Sequence, residues 1–511
     1  MRLLRASLLA LIVAQGAGLL AQRGATSASI AARIDEILAQ PAARRTYWGV
    51  LVRDLSSGET VYERNADKLF LPASNVKLYS TALALARLGA DYTYTTAVTT
   101  DAAVDESGAL GGDLRLVGGG DPNLSARLLP YRNQSQFGPD PLEPVRKLAR
   151  QIRDAGVRRV EGDVIGDDSR YVWQPYPRGW GYADTLHDYG SPVSALVFND
   201  NVITVRVTPG GPGAPARLLA RPALPYYQFS NRTATVADRY VTRGLAARWG
   251  EGQREVVLAG QISAESNGRR FAFPATDPAQ YAALALRKAL TDLGVDVEGG
   301  AKSAHELPDR LPSLRSRTRP RVAAGRVVAQ VTSLGLSEAV RVVNKVSQNL
   351  HAEMLLREVA YREAGIGSWE AAIASLRKFL AEAGLGSGEH YLRDGSGLSR
   401  HNLVAPRATV RLLESMWDSP EREAYVDSLP VAGHDGTLDW RFRRSAARAR
   451  IRAKTGSMSS VLALSGYAEA DGGRTYAFSI FANNFGMSSS STRHLIDSVA
   501  ATIIHGAYLA K

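Results

Sequence analysis

One stretch constrains this chain more than any other: residues 72–77, Pro-Ala-Ser-Asn-Val-Lys, and the apolar run that follows. Read as a helix beginning at Ser74, the run is apolar on most faces, which predicts a buried helix. Gly89 is suited to end it. In such a helix Lys77 lies one turn beyond Ser74 on the same face, so its amine can reach the serine hydroxyl. This spacing suits a serine nucleophile and a lysine base.

An isolated Ser-x-x-Lys is most often a hydroxyl in a first helical turn beside a solvated lysine, because such short patterns recur by chance. Serine needs a neighbour to take its proton, and lysine can do so only if burial or nearby positive charge lowers its pKa. Two further motifs follow along the chain: Ser347-Gln348-Asn349 inside a predicted helix, and Lys454-Thr455-Gly456 at the start of a predicted strand. Each alone is most often a turn or loop, but the three in this order favour a catalytic site.

The N-terminus has the pattern of a secretory signal. Arg2 and Arg5 precede an apolar stretch over residues 6–21, and small residues follow as far as Ala28. We expect residues 1–28 to be a signal peptide and the mature protein to be periplasmic. An uncleaved N-terminal anchor is the alternative, although the apolar stretch is short and interrupted.

Composition excludes several kinds of site. The chain has no cysteine, which rules out disulfides and thiolate metal sites, and its eight histidines show no ligand spacing. We therefore expect no metal and no cofactor. The lack of any recognition motif argues against nucleic acid as a partner.

The formal charge of +12 includes a block of six arginines between Arg441 and Arg452, just before Lys454. Such a block is most often a solvated basic surface. The alternative is a positive potential that attracts a carboxylate-ended substrate, or that holds the protein peripherally at anionic polymers of the envelope.

With 511 residues the chain can form more than one domain. Residues 47–54 and 60–62 predict a hairpin, and the C-terminal region predicts three strands, the first of which carries Lys454, and a final helix. Together these elements predict an α+β fold in which helices flank a five-stranded antiparallel sheet. Between residues 94 and 325 short strands and glycine turns prevail, and residues 142–164 and 279–299 share a helix-to-strand layout, which suggests two similar halves.

Further motifs, together with the triple, carry a resemblance over nearly the whole mature chain. They are Gly-Asp-Val-Ile-Gly-Asp-Asp-Ser at 162–169, Tyr-Gly-Ser-Pro-Val-Ser-Ala-Leu at 189–196, Asn-Asp-Asn at 199–201, Asp-Gly-Ser-Gly-Leu-Ser-Arg at 394–400 and Gly-His-Asp-Gly-Thr-Leu at 433–438. The chain resembles the D-alanyl-D-alanine carboxypeptidase/endopeptidase group of low-molecular-mass penicillin-binding proteins, peptidase family S13 (class C, penicillin-binding protein 4 type). The resemblance implies a transpeptidase-like catalytic domain at 29–98 and 326–511, an inserted domain II at 99–201 and 262–325, and an inserted domain III at 202–261.

The resemblance also implies a serine-type D-Ala-D-Ala carboxypeptidase, with DD-endopeptidase activity as an option, that acts on peptidoglycan stem peptides and is acylated by β-lactam antibiotics. The implied catalytic residues are Ser74, Lys77, Ser347, Asn349 and Lys454. The implied substrate-binding residues are Thr455, Gly456, Ser457 and Met458, with Leu398, Arg400, Asp184 and Tyr189 around the stem-peptide side chain. Backbone N–H groups of Ser74 and Ser457 form the implied oxyanion hole.

The middle motif departs from the Ser-Asp-Asn of class A β-lactamases, and we identify no separate deacylating glutamate. Two alternatives stay open at this point. One is a serine β-lactamase or esterase that uses the same triple, and the other is a non-catalytic cell-wall-binding protein. The sequence does not define the oligomeric state.

Overall fold

The computed structural model describes residues 28–237, 241, 243–250, 254–317 and 325–505. The predicted signal peptide lies outside these residues except for Ala28, which begins the first described helix. Within the described part, no helix combines the length and apolar character needed to cross a membrane.

The elements fall into three consecutive groups. The first comprises α1 (28–39), β1 (Tyr47–Asp54), β2 (Thr60–Arg64) and α2 (Val76–Leu88). The second comprises β3 (Thr95–Thr100), β4 (Ala109–Leu110), β5 (Leu114–Val117), α3 (Glu143–Asp154), β6 (Arg159–Val160), β7 (Val164–Val172), β8 (Val202–Thr208), β9 (Arg217–Arg221), β10 (Gln228–Val236), β11 (Ala246–Trp249), β12 (Glu255–Ser263), β13 (Arg269–Pro274), α4 (Pro278–Asp292), β14 (Asp296–Val297) and β15 (Ala301–Glu306). The third comprises β16 (Arg326–Thr332), α5 (Leu336–Val346), α6 (Asn349–Ala364), α7 (Trp369–Glu382), β17 (His390–Tyr391), β18 (Leu403–Val404), α8 (Pro406–Trp417), α9 (Arg422–Ser428), β19 (Ile451–Met458), β20 (Val461–Glu469), β21 (Thr475–Asn483) and α10 (Ser489–His505).

The main sheet has the strand order β19-β20-β21-β1-β2, and every neighbouring pair is antiparallel. This confirms the predicted five-stranded sheet. Because side chains alternate across a strand, β1 serves two cores. Leu51 packs into the core that contains α2, whereas Val50 and Val52 pack into the core beneath α1 and α10.

Helix α2 is buried as the apolar run predicts, since all ten residues from Val76 to Leu85 are buried. It ends at Gly89, whose φ of 81° suits glycine. A 3₁₀ turn, Ala73–Asn75, precedes it, so Ser74 lies just before the α-helix rather than within it.

The middle motif does not lie inside one continuous helix, and that prediction was wrong. Helix α5 ends at Val346, and Ser347 adopts a left-handed conformation with φ 67° and ψ 38°. The Gln348 side chain then accepts a hydrogen bond from Leu350 N and caps α6. The polar triplet can supply a cap of its own, so it starts a new helix instead of continuing the old one.

The inserted region contains two similar halves, as predicted. One half is α3-β6-β7 and the other is α4-β14-β15. Strands β6 and β14 pair in parallel, as do β7 and β15. Two further three-stranded sheets, β13-β8-β9 and β10-β12-β11, form a smaller module between the halves.

The division into domains remains a proposal, and strand pairing refines it. β3 and β16 pair with each other at the edge of the sheet β15-β7-β5-β3-β16. Where the two connecting segments run side by side, Ser333 N donates to the Tyr94 carbonyl and Tyr94 N donates to Ser333 Oγ, both at 2.9 Å. We propose that the insertion begins near Tyr94 and ends near Ser333, rather than at residues 99 and 325.

Shortening one side chain of α2 tests whether the helix forms the centre of the core. Leu83 is fully buried, whereas Leu334 is 50% exposed. We expect Leu83→Ala to lower the free energy of unfolding by about 2–5 kcal/mol, because it removes buried methyl groups and leaves a cavity. The matched control Leu334→Ala should shift the thermal midpoint little, and an equal shift in both variants would contradict the assigned position of α2.

Candidate functional site

Ser74 is half-buried and is presented by the 3₁₀ turn that leads into α2. The residue before it, Ala73, has a positive φ of 47°, which turns the chain sharply at this point. Gly397 packs directly against the Ala73 carbonyl, where any Cβ atom would overlap that oxygen. The strained turn is therefore held in place by a close backbone contact from a distant loop.

Lys77 is fully buried, and its Nζ atom donates three hydrogen bonds. The acceptors are Ser74 Oγ at 2.9 Å, Asn349 Oδ1 at 2.6 Å and the carbonyl oxygen of Ser396 at 2.6 Å. Burial lowers the pKa of Lys77 to about 7, against the opposing effect of the Asp394 and Glu353 carboxylates. A lysine with such a pKa can accept the serine proton near neutral pH.

A second buried lysine lies on the other side of the site. Lys454 Nζ donates to Ser347 Oγ at 2.9 Å and to the Thr455 carbonyl at 3.0 Å. Its pKa is well below the usual value because of burial and, next, the positive charge of Lys77. Asn75 Nδ2 donates to the Lys454 carbonyl at 3.0 Å, which joins the serine turn to β19. The structure thus brings all three sequence motifs together.

Strand β19 is an edge strand of the main sheet, and its outer side faces the site. Ala453 N donates to the Pro430 carbonyl, and the Ile451 carbonyl accepts from Ala432 N, so the backbone groups of these residues point outward. Alternation along the strand turns the backbone of Thr455 and Ser457 outward as well. The Thr455 hydroxyl lies 2.8 Å from the Thr437 hydroxyl.

Gly456 lies between these two residues and packs against the serine turn. A Cβ atom there would approach the Pro72 carbonyl oxygen to 2.6 Å. This close contact explains the glycine in the Lys-Thr-Gly motif, because a side chain would push the strand away from Ser74.

The loop that supplies the Ser396 carbonyl is organised by Asp394, whose role the sequence analysis missed. This buried carboxylate accepts hydrogen bonds from Gly397 N at 2.9 Å and Ser399 N at 2.7 Å, and from Trp180 Nε1 at 3.0 Å. The Asp-Gly-Ser-Gly pattern was the available signal, since Asp in such a turn satisfies backbone N–H groups.

Glu353 is the second residue that the sequence analysis missed. Its buried carboxylate accepts from Gly395 N at 2.9 Å and Ser396 N at 2.8 Å, behind the carbonyl that binds Lys77. Burial, followed by repulsion from Asp394, raises its pKa to about 8. No local pattern marks this residue, because its role depends on contact with a loop 42 residues away.

The inserted region contributes Tyr189, whose carbonyl accepts from Asn349 Nδ2 at 2.8 Å. The Tyr189 hydroxyl lies 3.3 Å from Asp184 Oδ1, so these two predicted pocket residues are brought together. Of the remaining three, Leu398 follows Gly397 and Met458 ends β19, both half-buried, whereas Arg400 is exposed. No hydrogen bond or ion pair among the described residues joins these three to Asp184 and Tyr189, and their common pocket stays a prediction.

Most of the basic block before Lys454 forms ion pairs. Four of its six arginines do so, with the pairs Arg441–Asp497, Arg443–Asp439, Arg450–Asp471 and Arg452–Asp427. These contacts fit the interpretation of the block as an ordinary surface better than that of a site for anions.

Substituting Gly397 tests whether the close contact with Ala73 holds the serine turn. Gly397→Ala combines a positive φ of 85° with an overlap at the Ala73 backbone, whereas Gly472→Ala has a similar φ of 77° and open space. We expect Gly472→Ala to cost about 1 kcal/mol of stability, from the backbone conformation alone. Gly397→Ala should lower the thermal midpoint markedly more, and equal shifts in the two variants would contradict the packing argument.

Comparison with known proteins agrees with this geometry. The family model described as "D-Ala-D-Ala carboxypeptidase 3 (S13) family" matches residues 30–503. A D-alanyl-D-alanine carboxypeptidase of Actinomadura sp. (strain R39) is 34% identical over 90% of this chain and 82% of its own length. The D-alanyl-D-alanine carboxypeptidase DacB of Haemophilus influenzae is 24% identical over 86% of this chain and 85% of its own.

Among solved structures, penicillin binding protein 4 (dacB) of Haemophilus influenzae superposes with a TM-score of 0.76. The match covers 93% of this chain and 99% of that protein at 22% identity, and it confirms the predicted fold class. The family model spans most of the chain, and the relative from Actinomadura exceeds 30% identity over most of both proteins. The chain therefore belongs to the D-Ala-D-Ala carboxypeptidase 3 (S13) family.

Proposed function

We propose that this protein is a serine-type D-Ala-D-Ala carboxypeptidase that acts on peptidoglycan stem peptides through an acyl-serine intermediate. The observation that carries the proposal is the fully buried Lys77 amine, 2.9 Å from the Ser74 hydroxyl and with its pKa lowered to about 7. Membership of the family and the names of the relatives support the same activity.

The proposed reaction begins when Ser74 Oγ attacks the carbonyl carbon between two D-alanine residues. Lys77 Nζ takes the hydroxyl proton as the new C–O bond forms. The negative charge that develops on the carbonyl oxygen is bound by the backbone N–H groups of Ser74 and Ser457. Asn349 supports the step by holding Lys77 through its side-chain oxygen at 2.6 Å.

The tetrahedral intermediate collapses when the C–N bond breaks and the terminal D-alanine leaves with its nitrogen protonated. The proton that balances this step is the one that Lys77 took from Ser74, and we assign its relay to the leaving nitrogen to the Ser347 hydroxyl, which is hydrogen-bonded to Lys454 Nζ. Lys454 and Thr455 bind the substrate carboxylate, because the incoming negative charge favours the protonated form of the buried Lys454 amine and the Thr455 hydroxyl adds a second donor. Water then attacks the acyl-enzyme, the ester C–O bond breaks, and a proton returns to Ser74 Oγ.

We further propose that the stem-peptide side chain lies among Asp184, Tyr189, Leu398, Arg400 and Met458. The hydrogen bond from Asn349 Nδ2 to the Tyr189 carbonyl supports this assignment, because an acyl chain held by Asn349 would then lie beside the insertion. DD-endopeptidase activity on cross-linked stem peptides is part of the same proposal.

A serine β-lactamase is the main alternative. It would require fast hydrolysis of the acyl-enzyme, for which class A enzymes use a glutamate and a water molecule. Among the described residues no carboxylate is hydrogen-bonded to Ser74, and the nearby Glu353 is used by backbone N–H groups of the loop behind Lys77. This arrangement favours a long-lived adduct. A non-catalytic wall-binding protein would have no need for two buried lysines.

The proposed substrate lies outside the cytoplasm, so we propose that the protein is exported to the periplasm. Peptidoglycan and β-lactams are its proposed ligands. The proposal requires no metal or cofactor, because the reaction needs only a nucleophile, a base and an oxyanion hole.

Penicillin tests the nucleophile directly. Intact-mass spectrometry of the wild type after incubation with penicillin should show one stable adduct, and Ser74→Ala should show none. Absence of the adduct from the wild type with penicillin still intact would contradict the acyl-serine proposal. Rapid conversion of penicillin to penicilloate would instead identify the β-lactamase.

The pH dependence of acylation tests the base. Lys77 must be neutral to accept the proton, and its neutral fraction rises with pH through its pKa of about 7. The second-order rate constant for acylation by penicillin should therefore increase about tenfold per unit below pH 7 and level off above it. Lys77→Arg should stay inactive at every pH, because arginine does not deprotonate. An inflection near 10 in the wild type would contradict the assignment.

A further inference from the structure

A cleft of about 600 Å³ extends from the active-site motif to the smaller inserted module. Ser347, Gln348 and Asn349 line one end of it. Arginines from the sheet β13-β8-β9 line the other end. We name it the arginine cleft and define it by Arg206, Arg221 and Arg270 with the three motif residues.

Strand register explains why these arginines share one face. On β8, Val205 and Val207 are buried in the core of the inserted region, so Arg206 points to the opposite face. Arg206 pairs with Arg270 of β13, and Thr204 pairs with Arg221 of β9. All three guanidinium groups therefore lie on the side of the sheet that faces the cleft.

This arrangement costs stability in the free protein. Like charges directly opposite each other in a sheet repel, as Arg206 and Arg270 do. Among the residues that the structure describes, none of the three guanidinium groups forms an ion pair, and their only hydrogen bond there is the one that Arg206 donates to the Asn267 carbonyl at 3.2 Å. By contrast, four of the six arginines in the block before Lys454 are paired within the chain.

Two carboxylates also line the cleft, and they do not neutralise it. Asp200 is already bound by Arg127, by His351 Nε2 at 3.1 Å and by Gln348 Nε2 at 3.3 Å. Asp188 accepts from the backbone N–H of Tyr189 at 3.0 Å and is exposed. Leu219, 56% exposed, pairs with Arg206 and adds an apolar surface on the same face.

We propose that the arginine cleft binds a carboxylate-bearing peptide strand that continues from the scissile bond, namely the leaving half of a cross-linked stem-peptide dimer. Three guanidinium groups that form no ion pair with any described residue suit carboxylates, and the exposed apolar side chain suits the aliphatic parts of a peptide. The cleft begins at Ser347, which is the residue proposed to hand a proton to the leaving nitrogen. This inference rests on the proposed function and extends it to the endopeptidase reaction.

Two synthetic cross-linked peptides provide the test. They share the acyl half and the carboxylate next to the scissile bond, and differ only in whether the other carboxylates of the leaving half are free or amidated. We expect the wild type to have the higher kcat/KM for the free-carboxylate peptide. In Arg206→Gln/Arg270→Gln the ratio of the two kcat/KM values should fall about three- to tenfold, the range expected for two exposed charge pairs. Higher ionic strength should reduce the wild-type ratio.

Arg217→Gln is the matched control, since Arg217 is exposed on the same face of β9 but lies outside the cleft. It should retain the wild-type ratio. An unchanged ratio in the double variant, an equal fall in Arg217→Gln, or a wild-type ratio of one would each overturn the inference. If the double variant fails to fold, the two single variants are measured in the same way.

Acylation of the wild type by penicillin, measured first, separates the two proposals. If acylation occurs but the peptides are not distinguished, the inference about the cleft fails and the proposed function stands. If acylation does not occur, the proposed function itself fails.

Discussion

Burial of the Lys77 amine is the constraint on which the rest of the site depends. An isolated charged ammonium group in a protein interior is costly, so the group either finds acceptors or loses its proton. Both effects occur at Lys77. Three oxygens accept hydrogen bonds from the charged amine, and burial lowers its pKa to about 7, so that the neutral form is also populated near neutral pH. Each of the three acceptors comes from a different part of the chain, and each must therefore be positioned independently.

The inserted region takes part in that positioning. Its Tyr189 carbonyl orients Asn349, and its Trp180 indole donates to Asp394, which organises the loop behind Lys77. An ion pair at 2.5 Å between the half-buried Arg170 and the fully buried Glu358 joins the insertion to α6, the helix that Asn349 begins. The insertion thus helps to shield Lys77 from solvent, and it also offers a surface for further substrate contacts.

Local sequence patterns predicted the elements that are decided locally. The apolar run after Ser74 correctly predicted a buried helix. The alternation of apolar and polar residues correctly predicted strands of the five-stranded sheet. The three motifs were found because each is short and contiguous. The sequence did not show that Ser347 breaks the helix, since the left-handed turn is stabilised by a cap that competes with helix continuation.

Long-range contacts account for what was missed. Glu353 has no local signature, and its function is visible only once residues 395 and 396 are seen to fold over it. The pairing of β3 with β16 joins segments more than 220 residues apart, so residue patterns could not assign either strand to its sheet. The same holds for Arg206 and Arg270, which share a row only through the register of two strands.

The most direct test of the central claim is the protonation state of Lys77 itself. Lysine Cε chemical shifts, followed by NMR as a function of pH in Ser74→Ala, report the titration without any turnover, and comparison with Ser74→Ala/Lys77→Arg assigns the signal. The account predicts that the Lys77 signal titrates near pH 7. A signal that titrates near 10, the usual value for lysine, would show that the amine is charged at neutral pH and would contradict its role as the base.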